Sequence, residues 1–143
     1  MIENLFALIN LLPLPFWVAM LLFPRTSLTQ RMVTSSWPFI ILAGLYTILL
    51  LAAFASLSPS EFGISAIAIQ AAIAGGWGFL AVWAHLLTLD LFAGIWIFRD
   101  ARYWSVQPAP YLLATLFTGP LGLGLYLYQR QRREKRDPIR NLN

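Results

Sequence analysis

The chain has 143 residues, of which 59% are hydrophobic and 11% are charged, and its formal net charge is +4. Soluble domains carry roughly 25% charged residues, so this composition indicates a small integral membrane protein of one domain. The sequence contains no cysteine, which excludes disulfides, iron–sulfur clusters and thiolate nucleophiles.

The first apolar segment covers residues 5–23, which carry no charge and approach the ~20 residues needed to cross a bilayer. Pro13 and Pro15 lie in its middle and predict a kink or a break in the helix. Asn10 is its one strongly polar side chain. For Asn10, a hydrogen bond to another helix is favoured over contact with a ligand.

A second span is predicted over residues 38–57. The next apolar run, residues 64–98, would be about 52 Å long as one helix, whereas the hydrocarbon core is ~30 Å thick. The sequence Gly75-Gly76-Trp77-Gly78 is the natural break in this run. We therefore predict a short helix over 64–74, followed by a third span over about 77–98.

Two polar connections are predicted, at residues 24–36 and 99–110. The last apolar segment, residues 111–128, is predicted to form a fourth span that is interrupted by Gly119-Pro120-Leu121-Gly122. Four spans would place both termini on the same side of the membrane.

The Lys and Arg residues fall into two groups that give conflicting signals about orientation. The polar connections contain Arg25, Arg31, Arg99 and Arg102, whereas six further basic residues lie within 130–143. By the positive-inside rule we favour the side of the second group as cytoplasmic or stromal. We interpret this tail as disordered and touching anionic headgroups of the lipid membrane. Binding of nucleic acid is disfavoured, because no folded basic domain supports it.

The predicted fold class is therefore all-α. It is an integral membrane bundle of four transmembrane helices with a short extra helix before the third. The helical domain comprises residues 1–129, and the basic tail comprises residues 130–143.

The third predicted span contains the only histidine of the chain, His85, and a carboxylate, Asp90. Ionisable groups at membrane depth cost about 2.5–3.5 kcal/mol each on insertion scales, so they usually face protein, a cavity or a ligand. The two residues are five positions apart, which is about 140° around a helix. They therefore occupy different faces, and we expect the other spans to enclose this helix.

Three roles remain open for His85: a hydrogen-bonded structural residue, an axial ligand of a metallated tetrapyrrole such as chlorophyll, or a general acid or base. A multi-histidine metal site is excluded, because the chain has a single histidine. For Asp90, pairing or a neutral hydrogen bond competes with a role as a proton donor or acceptor.

Four segments together resemble the ABA4-like membrane proteins, the neoxanthin-synthesis family. They are N-L-L-P-L-P-F-W-V-A-M-L-L-F-P-R from Asn10, L-T-Q-R-M-V-T-S from Leu28, H-L-L-T-L-D-L-F-A-G-I-W-I-F-R-D from His85, and L-F-T-G-P-L-G-L-G-L-Y-L from Leu116. These segments follow one another in order, and the resemblance covers most of the chain.

The resemblance implies a carotenoid-related protein of a cyanobacterial thylakoid or plasma membrane, or of a chloroplast membrane. The conversion of violaxanthin to neoxanthin opens a 5,6-epoxide and creates an allene without net oxidation or reduction. It needs one proton delivered to oxygen and one removed from the neighbouring polyene carbon. By this analogy, His85 and Asp90 are the acid–base candidates, with Asp100 a weaker third.

The aromatic residues Trp83, Phe92 and Trp96 are candidate contacts of a carotenoid, bound as substrate or as pigment. Tryptophans near membrane ends more often anchor a helix at the interface. The alternative function is non-catalytic: a pigment-binding or assembly subunit of a photosynthetic membrane complex.

Overall fold

The computed structural model describes residues 1–58 and 63–136, and its regular structure there is helical. The helices are α1 (Ile2–Leu11), α2 (Leu14–Leu22), α3 (Ser27–Thr34), α4 (Trp37–Ala55), α5 (Ala66–Ala74), α6 (Gly76–Tyr103), α7 (Ala109–Thr118) and α8 (Pro120–Arg136). The all-α prediction is confirmed.

Within the described residues, three helical segments are long and apolar enough to cross a membrane: Ile2–Leu22, Trp37–Ala55 and Gly76–Tyr103. A fourth crossing is not confirmed, since the last apolar segment is divided between α7 and α8. Residues 130–136 of the predicted disordered tail are helical, because α8 continues to Arg136. The rest of that tail lies outside the described residues.

The predicted helix breaks are confirmed, whereas the two predicted polar connections are partly helical. The turn at Pro13 separates α1 from α2, and Gly75 separates α5 from α6. The polar connection at 24–36 contains a helix, α3, which begins where the Thr26 side chain accepts a hydrogen bond from a backbone N–H. The loop expected from residue 99 starts later, because α6 runs on to Tyr103.

The chain forms two compact units. Unit 1 consists of Met1–Pro13 and Ser36–Thr88, and unit 2 consists of Leu14–Ser35 with the chain from Leu89 onward. The core of unit 1 comprises Ile9, Leu49, Leu80, Ala81 and Ala84.

In unit 2, α2 packs against α6 at a glycine. Trp17 is 3% exposed, and its ring lies so close to Gly94 that a Cβ atom at residue 94 would be 2.5 Å from Cη2 of the indole. Gly94 thus allows close packing of α2 on α6.

The helices α7 and α8 of unit 2 form a hairpin. The ring centroids of Tyr111 and Tyr126 are 5.6 Å apart, whereas fifteen residues of straight helix would separate them by about 22 Å. The chain reverses at Gly119, which has φ +54° and ψ −102°. This is a conformation that glycine adopts readily and L residues avoid, since their Cβ atom clashes with the backbone.

The hairpin brings the C-terminal basic residues back to the end of α6. Arg130 on α8 lies 3.5 Å from the Asp100 carboxylate on α6, and Arg102 donates a hydrogen bond to Gln30 on α3. Basic residues of both groups therefore lie at the same end of unit 2, and the predicted division between two sides is not confirmed. Every described Lys and Arg residue belongs to unit 2.

Cysteine labelling tests the hairpin, since the chain has no native cysteine. Gln107→Cys precedes α7 and Lys135→Cys lies near the end of α8. In sealed vesicles, we expect an impermeant maleimide to label both variants from the same side. Thr118→Cys, next to the turn, should react with a permeant maleimide but slowly with the impermeant one. Labelling of residues 107 and 135 from opposite sides would instead establish a fourth crossing.

Substitution of Gly119 tests the reversal itself. Gly119→Ala should lower the free energy of unfolding by about 1–3 kcal/mol through backbone strain, and more because the new Cβ atom would lie 2.6 Å from Oδ1 of Asp90. Gly124→Ala is the matched control: apart from the adjacent backbone of its own helix, no heavy atom lies within 4 Å of its Cβ position, and alanine favours the helix. Thermal unfolding in detergent measures both. Equal stability of the two variants would contradict the assigned turn.

Candidate functional site

An apolar groove with a volume of about 180 Å³ lies within unit 1, and we call it the His85 groove. Its lining comes from α4, α5, α6 and the residues after α4. The lining residues are Tyr46, Leu50, Ala53, Phe54, Leu57, Ala72, Ile73, Gly78, Ala81, Val82 and His85. The polar side chains among them are the imidazole of His85 and the phenol of Tyr46.

His85 is exposed and lies against the ring of Tyr46, with ring centroids 5.5 Å apart and ring planes tilted by 43°. Neither imidazole nitrogen is hydrogen-bonded to another described residue. Among the described residues, no hydrogen bond supports the structural role considered for His85. The imidazole nitrogens are left available to a molecule in the groove.

Side chains on the face of α6 that carries His85 are exposed, so the expected enclosure of this helix by the other spans is not confirmed. Leu89 is 51% exposed and Phe92 is 57% exposed on this face, and Val82 borders the groove on it. An exposed apolar surface on a helix of this length is suited to lipid tails.

Trp83, a candidate carotenoid contact, is held by its own unit. Its indole Nε1 donates a hydrogen bond of 3.1 Å to Oδ1 of Asn10, whose amide in turn donates to the Phe6 carbonyl. The indole also packs against the rings of Phe6 and Phe79, with centroid distances of 5.4 Å and 6.0 Å. The helix–helix hydrogen bond predicted for Asn10 is confirmed, and it joins α1 to α6.

Asp90 lies in unit 2, facing the turn of the α7–α8 hairpin. The Cβ position of Gly119 is 2.6 Å from one carboxylate oxygen and 3.5 Å from the other. The carboxylate forms no ion pair or hydrogen bond with another described residue. Asp90 belongs to the family-like segment from His85, and Gly119 belongs to the one from Leu116. These two segments are therefore in contact.

Asp100, the weakest of the three acid–base candidates, is bound by side chains of α8. Its Oδ2 accepts a hydrogen bond of 2.5 Å from the Tyr126 hydroxyl and lies 3.5 Å from Nε of Arg130. The guanidinium of Arg130 lies over the rings of Trp96 and Trp104, at 5.8 Å and 5.4 Å from their centroids. Through these contacts, Asp100 and Trp96 on α6 bind side chains of α8 and help to pack the two helices together.

Sequence reasoning missed Tyr46 and Tyr126, the partners of His85 and Asp100. Tyr46 carried a signal, since its hydroxyl lies in the middle of a span made mostly of apolar side chains. Tyr126 carried none, because a tyrosine near a predicted span end is typical of an interface anchor. No group of three or more His, Cys, Asp or Glu residues able to hold a metal ion occurs in the part of the chain that the structure describes.

Comparison with known proteins gives a family match over most of the chain. The family described as ABA DEFICIENT 4-like matches residues 4–126. The chloroplastic protein ABA DEFICIENT 4 of Arabidopsis thaliana is 26% identical over 130 residues, which cover 85% of this chain and 58% of that protein. The chain thus spans less than two thirds of the length of this relative. No solved structure matches the chain.

The bond between Tyr126 and Asp100 can be tested by removing one hydroxyl. Tyr126→Phe should destabilise the protein by about 1.5–3 kcal/mol, since a hydrogen bond to a charged group is lost while the ring remains. Tyr128→Phe is the control, because Tyr128 is 56% exposed and stacks with Arg132 through its ring. Thermal unfolding in detergent is the measurement. Loss of stability in Tyr128→Phe alone would contradict this arrangement.

Proposed function

The chain belongs to the ABA4-like family, and we propose that it binds a xanthophyll in the His85 groove and isomerises an epoxide end group of that pigment by acid–base catalysis. The observation that carries the proposal is the lining of the groove, which is apolar except for His85 and Tyr46. An apolar cleft with a few polar groups is the usual form of a small-molecule site.

The size of the groove suits one end of a long pigment. Its volume of about 180 Å³ is below the ~300–1,000 Å³ of sites that enclose a whole drug-sized ligand. A single cyclic end group would occupy the groove, and the polyene would lie along lipid. Phe92 belongs to unit 2, where its side chain is exposed, and it stays a separate candidate contact of the pigment.

The groove offers the two proton-transfer groups that the isomerisation needs. Neutral imidazole of His85 takes a proton from the polyene carbon next to the epoxide. The electrons of that C–H bond form the new double bond of the allene, the epoxide C–O bond opens, and its oxygen gains a proton. We assign the delivery of this proton to the Tyr46 hydroxyl, and the proton taken up by His85 then returns to the Tyr46 phenolate, which restores both groups. Substrate and product are isomers, so no oxidant or reductant is consumed.

Asp90 is a separate acid–base candidate. It is not among the residues that line the His85 groove; its carboxylate faces the Gly119 turn. An unpaired carboxylate in an apolar helix is costly, which supports a role in proton transfer. The same assay, applied to an Asp90 variant, decides between the two positions.

The pigment profile of the source organism, measured by chromatography, tests the proposal. Deletion of the gene should remove one carotenoid and accumulate its isomer, and the wild-type gene should restore the profile. His85→Gln should restore less than a hundredth of the product, because general acid–base catalysis contributes about 10²–10⁴-fold. Tyr46→Phe, which keeps the ring, should also lower the product, by about tenfold or more.

Leu86→Ala is the control, since Leu86 is an exposed neighbour of His85 that does not line the groove. Immunoblots must show equal amounts of each variant in the membrane. Wild-type product from His85→Gln, with loss of product in Asp90→Asn, would move the chemistry to Asp90. Wild-type product from both would disprove catalysis by either residue.

A second function is pigment binding or complex assembly without chemistry. It is favoured by α4, because only 11% of the apolar stretch of this helix is buried within the protein. The remaining surface of α4 is available to a larger complex. An unchanged carotenoid set after deletion, with a reduced photosynthetic complex on native gels, would support this function. His85 would then be tested as an axial ligand of bound chlorophyll.

A further inference from the structure

Unit 2 contains a second pocket, of about 330 Å³, at the end of α6. Arg25, Arg102 and Gln107 form part of its lining, together with apolar side chains that include Met20, Leu21 and Phe98. We propose that this pocket binds the phosphate group of an anionic lipid.

The charge of the lining favours an anion. Two arginines border the pocket, and no carboxylate is among its lining residues. Two guanidinium groups at one pocket repel each other unless an anion lies between them. Each guanidinium presents several N–H donors in a plane, which matches the oxygen atoms of a phosphate.

One of the two arginines is already positioned by the protein. Arg102 donates a hydrogen bond to the side chain of Gln30, and its guanidinium lies 6.0 Å from the centroid of the Phe98 ring. A side chain held in this way loses less conformational entropy when it binds a ligand. The geometry therefore favours a defined site over a diffuse attraction.

The position of the pocket distinguishes a lipid from a free ion. Arg25 follows the candidate span Ile2–Leu22 by a few residues, and Arg102 lies near the end of the candidate span Gly76–Tyr103. The charged part of the lining is thus at headgroup depth, while Met20, Leu21 and Phe98 come from the apolar helices. This order matches a lipid, whose phosphate lies outside its acyl chains.

The first experiment compares lipid retention in purified full-length protein. The protein is incorporated into nanodiscs of phosphatidylcholine with 10% phosphatidylglycerol, extracted in mild detergent, washed, and analysed for bound lipid by mass spectrometry. We expect enrichment of phosphatidylglycerol on the wild-type chain. Arg25→Gln/Arg102→Gln should retain about tenfold less, because each lost charge-assisted hydrogen bond weakens binding.

The matched control is Arg31→Gln/Arg99→Gln, which removes the same charge from two exposed arginines outside the lining. Equal loss of lipid in this control would mean a general surface attraction and would overturn the site. Retention of phosphatidylcholine as strong as that of phosphatidylglycerol would do the same. Arg25→Lys/Arg102→Lys, which keeps the charge, should give intermediate retention and shows whether loss follows from misfolding.

A competition with inorganic phosphate tests whether the pocket binds the phosphate group of a lipid or a free phosphate ion. If the lipid is the ligand, 10 mM inorganic phosphate should leave phosphatidylglycerol bound, because the acyl chains add to its affinity. Full displacement of the lipid at that concentration would assign the pocket to a free anion and overturn the lipid. None of these outcomes depends on the pigment assay, since no residue of the His85 groove lines this pocket.

Discussion

The reversal of the chain at Gly119 is the constraint on which the arrangement of unit 2 depends. A residue with φ +54° turns α8 back along α7, and this return sets Tyr126 and Arg130 beside Asp100. The Asp100 carboxylate is thereby compensated by a hydroxyl and a guanidinium, and the basic residues gather at one end of the unit. With an extended chain at residue 119, α8 would carry these charges away from Asp100.

Hydropathy predicted the apolar segments but not their direction. A run of apolar residues with a glycine–proline break has the same hydropathy whether its second half continues across the membrane or folds back on the first half. Hydropathy therefore does not distinguish a span from a hairpin. The evidence for the hairpin is the backbone conformation at Gly119 and the contact of Tyr111 with Tyr126, and neither is encoded in a local pattern. The breaks at Pro13 and Gly75 were predictable, since proline and glycine act on the backbone locally.

The candidate site was predictable in part for a similar reason. His85 and Asp90 are conspicuous because ionisable residues are rare in apolar helices, and the partner of Asn10 was foreseen as another helix. The neighbours of His85 and Asp90 were not, since Tyr46 comes from a different helix and Gly119 approaches Asp90 only through the hairpin. Tertiary contacts of this kind depend on how helices pack, which one sequence does not specify residue by residue.

Asp100 and His85 differ in how the protein compensates the free-energy cost of an ionisable group in an apolar environment. Asp100 is hydrogen-bonded and ion-paired, so the fold itself accounts for it. His85 is different: its ring contacts Tyr46 and borders a groove, and no hydrogen bond to a described residue occupies its nitrogens. A hydrogen bond from a molecule in the groove would stabilise the imidazole among these apolar side chains. Under the proposed function, the oxygenated end group of a xanthophyll supplies a hydrogen-bonding partner for the imidazole, and its hydrocarbon part matches the apolar lining of the groove.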